Sequence, residues 1–253
     1  MTLTAYSPPR NIAAKFKRRA TQRHAARPAT LRFDQPILSI SFDDFPVSAA
    51  EHGAAVLEAH GARGTYYASA GLAQTEGPCG LNFSAGHLSA LVAHGHEIGC
   101  HTFGHEDCAR RSALETLRDL AQNRDALAAM GAPAAAQTLA FPYGETTIEL
   151  KQSLPPRYRC ARGILPGLNV GAADLAQLHA YALFGANWRG NLRHALKRAA
   201  KKKAWVIGFT HDVLAAPSPW GTSVSELDAL LTQAQALGFA ILPVNEALDR
   251  RRP

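Results

Sequence analysis

The sequence has few cysteines. The four in 253 residues, Cys79, Cys100, Cys108 and Cys160, follow no regular spacing. So few in a chain of this length do not form a disulfide framework. No stretch approaches the ~20 consecutive apolar residues that cross a bilayer. The opening segment has basic residues but no apolar run behind them, so it lacks the form of a secretory leader. Together these absences point to the cytoplasm. No linker, low-complexity tract or repeat divides the chain, and a 47% hydrophobic content is ordinary for a globular protein. There is no helix-turn-helix and no aromatic RNP-like strand, so no nucleic-acid partner is expected.

Acidic residues are also in the minority. Lys and Arg number 27 against 20 Asp and Glu, a net charge of +7. Much of the excess lies in two runs. The first holds Arg10, Lys15, Lys17, Arg18, Arg19, Arg23 and Arg27; the second holds Arg193, Lys197, Arg198, Lys201, Lys202 and Lys203. Such runs attract phosphates or anionic lipid, although a solvated helix face explains them as well. Residues 10–20 read as a short basic helix with Ile12, Ala13, Phe16 and Ala20 on its apolar side. That pattern suits loose, peripheral attachment to a membrane surface, the inner one for a cytoplasmic protein. Residues 1–33 are accordingly set apart as a basic N-terminal segment, ahead of a domain over 34–253.

Strand and helix patterns alternate along that domain. Strands are expected over 36–42, 64–68, 97–100, 137–141, 158–162, 179–184, 204–210 and 239–242. Helices are expected over 48–60, 84–93, 112–130, 190–203, 223–237 and 245–250. Ser112 and Glu115 form a capping box at the clearest of them. Such alternation predicts one parallel-sheet α/β domain, and the number of units favours closure: a single-domain, distorted (β/α) barrel of seven strands, TIM-barrel-like.

The candidate chemistry sits at strand ends. Asp43 and Asp44 follow the first strand, His101 the third, Pro142 and Tyr143 the fourth, and His211 the seventh. In a parallel barrel those C-terminal ends share one rim, where catalytic residues gather. His101 and His105 stand four apart, with Gly104 favouring a turn between them. This is not the zinc-protease helix motif, because Thr102 stands where that motif has its glutamate. Two surface histidines remain the simpler reading of this spacing taken alone. For the paired carboxylates the simpler reading is a helix N-terminus, and for His211 a histidine satisfied in a loop. His94 and His96 read as structural, and Cys100 and Cys160 as buried thiols.

Ser41-Phe42-Asp43-Asp44-Phe45-Pro46 resembles the first motif of the polysaccharide deacetylases, the NodB-homology domain of carbohydrate esterase family 4. His101-Thr102-Phe103-Gly104-His105 is similar to the second motif, Phe141-Pro142-Tyr143-Gly144 to the third, and Phe209-Thr210-His211 to the fifth. The resemblance runs from about Ile37 to Leu248, in the family's order. It implies a metal-dependent hydrolase that removes an N-acetyl group from an N-acetylhexosamine-containing glycan or glycan precursor. Asp44, His101 and His105 would be the metal ligands, leaving open positions as catalytic zinc sites do. Zinc is the expected ion, with cobalt, nickel and iron compatible with the same ligands. Asp43 would be the general base, His211 the general acid, and the backbone N–H of Tyr143 an oxyanion donor. Pro142, Tyr143, Trp188 and Trp220 are the candidate substrate-binding residues.

Two departures stand out. The arginine that orients the base in the third motif is replaced by Ala140, and Arg162 is the candidate to supply a guanidinium instead. The fourth motif is unrecognisable, with Asn187-Trp188 as its candidate remnant and Asp212 beside His211. These departures resemble a divergent subgroup linked to exopolysaccharide or surface-glycan assembly. A cytoplasmic enzyme would meet a lipid- or nucleotide-linked N-acetylated sugar rather than a finished polymer. The competing expectations are a deacylase of a non-sugar amide such as an acetylpolyamine, and an inactive glycan-binding module.

Overall fold

The structure is a computed structural model that describes residues 8–9, 11–132 and 137–252. Arg10 and residues 1–7 of the basic segment lie outside them. In chain order the elements are α1 (Ile12–Arg23), β1 (Pro28–Leu31), β2 (Ile37–Asp43), a π-helical stretch Ala49–Gly53 leading into α2 (Ala54–Ala59), β3 (Thr65–Ala68), β4 (Glu76–Gly77) and β5 (Gly80–Leu81). Next come α3 (Ala85–Ala93), β6 (Glu97–Cys100), α4 (Ala113–Ala129), β7 (Thr138–Ala140), α5 (Ile148–Ser153), β8 (Cys160–Arg162), β9 (Gly171–Asp174) and β10 (Tyr181–Ala182). The chain ends with α6 (Trp188–Lys202), β11 (Trp205–Thr210), α7 (Val224–Ala236), β12 (Ala240–Ile241) and α8 (Val244–Asp249).

Seven parallel strands run in the order β10-β11-β2-β3-β6-β7-β8, and β12 adds to the N-terminal half of β2. The sheet curls into a distorted barrel. Its open side is spanned by residues 178–182: Leu178 bridges Arg162 of β8, while Tyr181 and Ala182 pair with β11. This is the α/β barrel that the alternation predicts. Ser112 and Glu115 do form the capping box of α4, and Ser223 with Glu226 forms another at α7.

Alternation along β2 divides the core. Leu38, Ile40 and Phe42 face outward into the large apolar layer beneath α2, α3, α6 and α7. Ile37 faces the interior, where Trp205, Ile207 and Phe209 of β11 meet Val244, Ala247 and Leu248 of α8, which plugs the lower pole. Burying a side chain of this size is worth roughly 2–3 kcal/mol. The plug is fastened by Glu97, which accepts from the backbone N–H of Asn245 at 2.8 Å and from Thr65 Oγ1 at 2.8 Å. Gly99 is required by close approach, since a Cβ there would lie 2.4 Å from the Tyr67 ring.

Three features go beyond the sequence expectation. β1 and β9 form a separate antiparallel ribbon, with Pro28 opposite Asp174. Helix α5 lies between β7 and β8, in a stretch without a clear helical pattern. Helix α1 packs on the barrel wall through Lys151 of α5, which is fully buried. The Lys151 ammonium donates to the carbonyls of Thr21 and His24 at 2.7 Å each and lies 2.8 Å from Asp174 Oδ2. One buried cation thus ties the end of α1 to the ribbon and to α5. Removing one partner of a buried pair strands the other, at a cost of about 3–5 kcal/mol. Lys151→Met is expected to lose about that much in urea unfolding, and an unchanged midpoint would show the clamp to be dispensable.

Candidate active site

Asp43 ends β2 on its interior face, and Asp44 follows with a φ of 56°. In a continuing strand the two carboxylates would point to opposite faces. The left-handed residue breaks that alternation and brings Asp44 to the mouth beside Asp43. His101 follows β6 directly, and the turn after it is built on two more left-handed residues, Thr102 (φ 64°) and His105 (φ 51°). Asp119 of α4 holds this turn, accepting from the backbone N–H groups of Phe103 at 2.5 Å and Gly104 at 3.2 Å.

One oxygen of Asp44 faces both imidazoles: its Oδ1 is 3.1 Å from His105 Nε2 and 3.6 Å from His101 Nε2. Donor atoms of Asp44, His101 and His105 all lie within 4.8 Å of one another. Asp44 Oδ1 is buried and accepts no hydrogen bond despite these neighbours. His101 Nδ1 lies 2.7 Å from the carbonyl oxygen of Ala140, so it carries the ring proton and leaves the Nε2 lone pair toward Asp44. Burial pushes the His101 imidazole down to about 4, so the ring is neutral near pH 7. Three donor groups that converge on a buried carboxylate oxygen without a hydrogen bond to it fit a divalent cation, with this donor set at its ligand positions.

Asp43 is buried against Arg162, whose guanidinium contacts its Oδ1. Burial alone would raise the Asp43 carboxyl. The positive charge of Arg162 opposes this, His101 and His211 add to it, and the balance holds Asp43 below its ordinary value. Arg162 lies opposite Ala140 in the register of β7 and β8. The guanidinium therefore comes from the neighbouring strand, level with the position where the third motif's arginine is absent. It is fully buried, 4.9 Å from the ring centres of both Tyr67 and Phe209. Neither ring was identifiable from sequence as part of the site, and nor was Asp119, a helical residue whose carboxylate acts on a distant turn.

His211 follows β11 at the same rim. Its Nδ1 lies 3.1 Å from the carbonyl oxygen of Trp220, which places a proton on Nδ1. Asp212 does not orient it. That carboxylate is fully buried and accepts from Ser218, from its backbone N–H at 2.7 Å and from its hydroxyl at 2.5 Å. Trp188 belongs to the outer core layer, with Arg189 5.5 Å over its ring. Its ring is buried in that layer, and no contact joins it to Asp43, Asp44, His101 or His211. Tyr143 (φ 58°) sets its ring edge-on to His105 at 4.8 Å, with Pro142 buried before it. Trp220 is 41% exposed on the loop beyond His211.

The bland assignments have clear partners. His94 and His96 both reach Glu58, at 2.9 and 3.0 Å. Cys100 points away from the mouth, and its sulfur accepts from Asn123 at 3.1 Å. Burial raises the thiols of Cys100, Cys108 and Cys160, so none is a ready thiolate.

The family profile described as "Polysaccharide deacetylase" matches residues 31–154. That span holds Asp43, Asp44, His101, His105, Pro142 and Tyr143, and it stops before Arg162 and His211. No curated protein sequence matches the chain. Among solved structures, the peptidoglycan deacetylase PdaC from Bacillus subtilis aligns with a TM-score of 0.56 at 15% identity, over 86% of this chain and 92% of that one. The family 4 carbohydrate esterase from Streptomyces lividans, in complex with acetate, gives 0.56 at 15% identity over 83% and 93%. A CE4 family pseudoenzyme from Bacillus anthracis gives 0.59 at 14% identity over 88% and 68%. At these identities the structural likeness carries the fold alone. The matched profile spans just under half of the chain, so it is over residues 31–154 that the chain resembles a polysaccharide deacetylase domain.

Proposed function

We propose that the protein is a metal-dependent N-deacetylase acting on an N-acetylhexosamine-containing glycan or its precursor. The observation that carries this reading is the convergence of Asp44, His101 and His105 on one point beside the Arg162-held carboxylate of Asp43. A divalent ion bound there, zinc first among the candidates, supplies Lewis acidity toward the amide carbonyl and lowers the pKa of water. Asp43, kept ionised, takes the proton from the attacking water. His211, in its imidazolium form with Nδ1–H held by the Trp220 carbonyl, gives its Nε2 proton to the departing amine, which is otherwise a very poor leaving group. The backbone N–H of Tyr143 is assigned to the developing oxyanion. Trp220 is assigned as a platform for a sugar face, with Pro142 and Tyr143 shaping the acetyl pocket. Arg162 acts through Asp43, by orienting it and holding its charge.

One similar structure belongs to a pseudoenzyme, so an inert glycan binder is the second reading. The presence at one rim of both carboxylates, both ligand imidazoles and His211 favours catalysis. The replaced arginine and missing fourth motif are the basis for assigning the chain to the subgroup linked to surface-glycan assembly. Four free cysteines fit a reducing compartment, and no helix among the described residues is long and apolar enough to cross a membrane. A pyrophosphate-linked sugar suits the basic surface.

The purified chain is expected to bind a single divalent ion by calorimetry. His101→Gln or His105→Gln should weaken binding by more than the roughly 10- to 100-fold that losing an outer partner costs, whereas Cys100→Ser should leave it unchanged. Acetate release from N-acetylglucosamine oligomers should stop with a chelator, and an unaffected rate would refute the metal's role. Asp43→Asn and His211→Ala should each lower turnover by roughly 10²- to 10⁴-fold. Arg162→Ala removes the charge that depresses Asp43, so the acidic limb of the pH profile should move to higher pH. Turnover and profile that survive Arg162→Ala intact would end the orienting role. Acetylpolyamines should be poorer substrates than sugar amides, and pyrophosphate-linked sugars better ones than free chitooligosaccharides.

A further inference from the structure

Helix α1 buries its polar side and exposes its apolar one. Thr21 is buried against the domain, Gln22 donates to the Gln177 carbonyl at 2.8 Å, and Arg18 pairs with Glu145. On the outer side Ile12 is 74% and Phe16 70% exposed, continued by exposed Ala13 and Ala20. Lys15, Lys17, Arg19 and Arg23 flank this stripe, all exposed, and the helix has no acidic residue. A helix that contributed only packing would turn Phe16 inward.

The position of α1 gives the stripe a direction. Glu145, which holds Arg18, is two residues beyond Tyr143, so α1 runs along the catalytic rim. The rim also carries exposed apolar side chains. Nine large apolar side chains are exposed among the described residues. Leu114, Ile148 and Val224 lie in the first turns of α4, α5 and α7, and Leu81, Ile164 and Trp220 lie in segments that follow strand ends. All six are on the pole of Asp44. With Ile12 and Phe16 that leaves only Val92, in the last turn of α3, at the other pole. One face of the molecule therefore combines scattered apolar side chains, a tryptophan and a basic amphipathic helix around the catalytic mouth.

We infer that this face seats on an anionic lipid surface: α1 lies in the headgroup layer with Ile12 and Phe16 in the acyl boundary, and the mouth opens toward the membrane. Its substrate is then an N-acylated sugar carried on a lipid. The substrate half rests on the deacetylase reading; the seating half does not. Charge favours lipid over a second copy of the chain, since self-pairing through the stripe would bring two basic rows together. It favours lipid over nucleic acid because Ile12 and Phe16 gain nothing from phosphates.

The test is co-sedimentation of the full chain with vesicles of mixed phosphatidylglycerol and phosphatidylcholine, against phosphatidylcholine alone. Each basic residue near an anionic leaflet is worth roughly a fivefold gain in binding, so the mixed vesicles should bind at least about tenfold more tightly. Ile12→Asp combined with Phe16→Asp should reduce binding to the level of neutral vesicles, while circular dichroism and acetate release from a soluble oligomer stay unchanged. Absent binding, or binding that survives the double variant, overturns the seating. So does a dimer in sedimentation equilibrium that the same variant dissociates, or retention on DNA with no affinity for vesicles. Acetate release from an N-acetylglucosaminyl lipid should be faster in mixed vesicles than in neutral detergent for the wild type, and not for the variant. Equal rates overturn the substrate half. Vesicle binding without release from any N-acyl sugar keeps the seating and overturns the substrate half together with the deacetylase reading.

Discussion

Two carboxylates on consecutive residues resist being ionised together inside a protein. At the mouth of this barrel Asp43 and Asp44 stand in that position, and the surrounding structure answers each one separately. Asp43 faces Arg162, a guanidinium with no solvent exposure, set close to the rings of Tyr67 and Phe209. Asp44 faces two imidazole nitrogens, Nε2 of His101 and Nε2 of His105, with one carboxylate oxygen. One carboxylate is thereby given a permanent cation, and the other stands in the cluster proposed to hold an exchangeable one. The different roles proposed for the pair follow from this division.

Holding the arrangement strains the backbone. Asp44, Thr102, His105 and Tyr143 all adopt left-handed conformations, which side chains other than glycine avoid. The restraint comes from outside the mouth: the Asp119 carboxylate grips the turn that carries His105, and Ser69 donates to the His101 carbonyl at 2.8 Å. Two of the three imidazoles at the mouth share one device. Each has its tautomer set by a main-chain carbonyl, Ala140 for His101 and Trp220 for His211, where a side-chain carboxylate could serve the same purpose.

Much of this was legible in the chain. Continuous apolar runs ending in Asp43, His101 and His211 announced buried parallel strands with reactive tips. The alternation of elements announced the barrel, and the six strands from 36–42 to 158–162 and at 204–210 fell within a residue or two of their places. What stayed hidden has a common physical character. The orienter of His211 is a peptide oxygen, which no residue type betrays. Asp119 reads as one more acid on a solvated helix. Trp188 was a candidate platform because sugar sites use aromatic faces, and only packing shows that it lies in the outer core. The β1–β9 ribbon joins segments some 140 residues apart without strong alternation in either, so neither half signals the other.

The pairing of Ala140 with Arg162 has a wider consequence. A curled sheet offers each inward position two neighbours, so a charge deleted from one strand can be restored from the next without moving the group it serves. Descent that preserves chemistry in this way conserves a location in space while erasing its signature along the chain. Relatives that have shed an arginine from the same place are therefore better judged by reading sideways, from rung to rung of the sheet, before they are counted among the inactive.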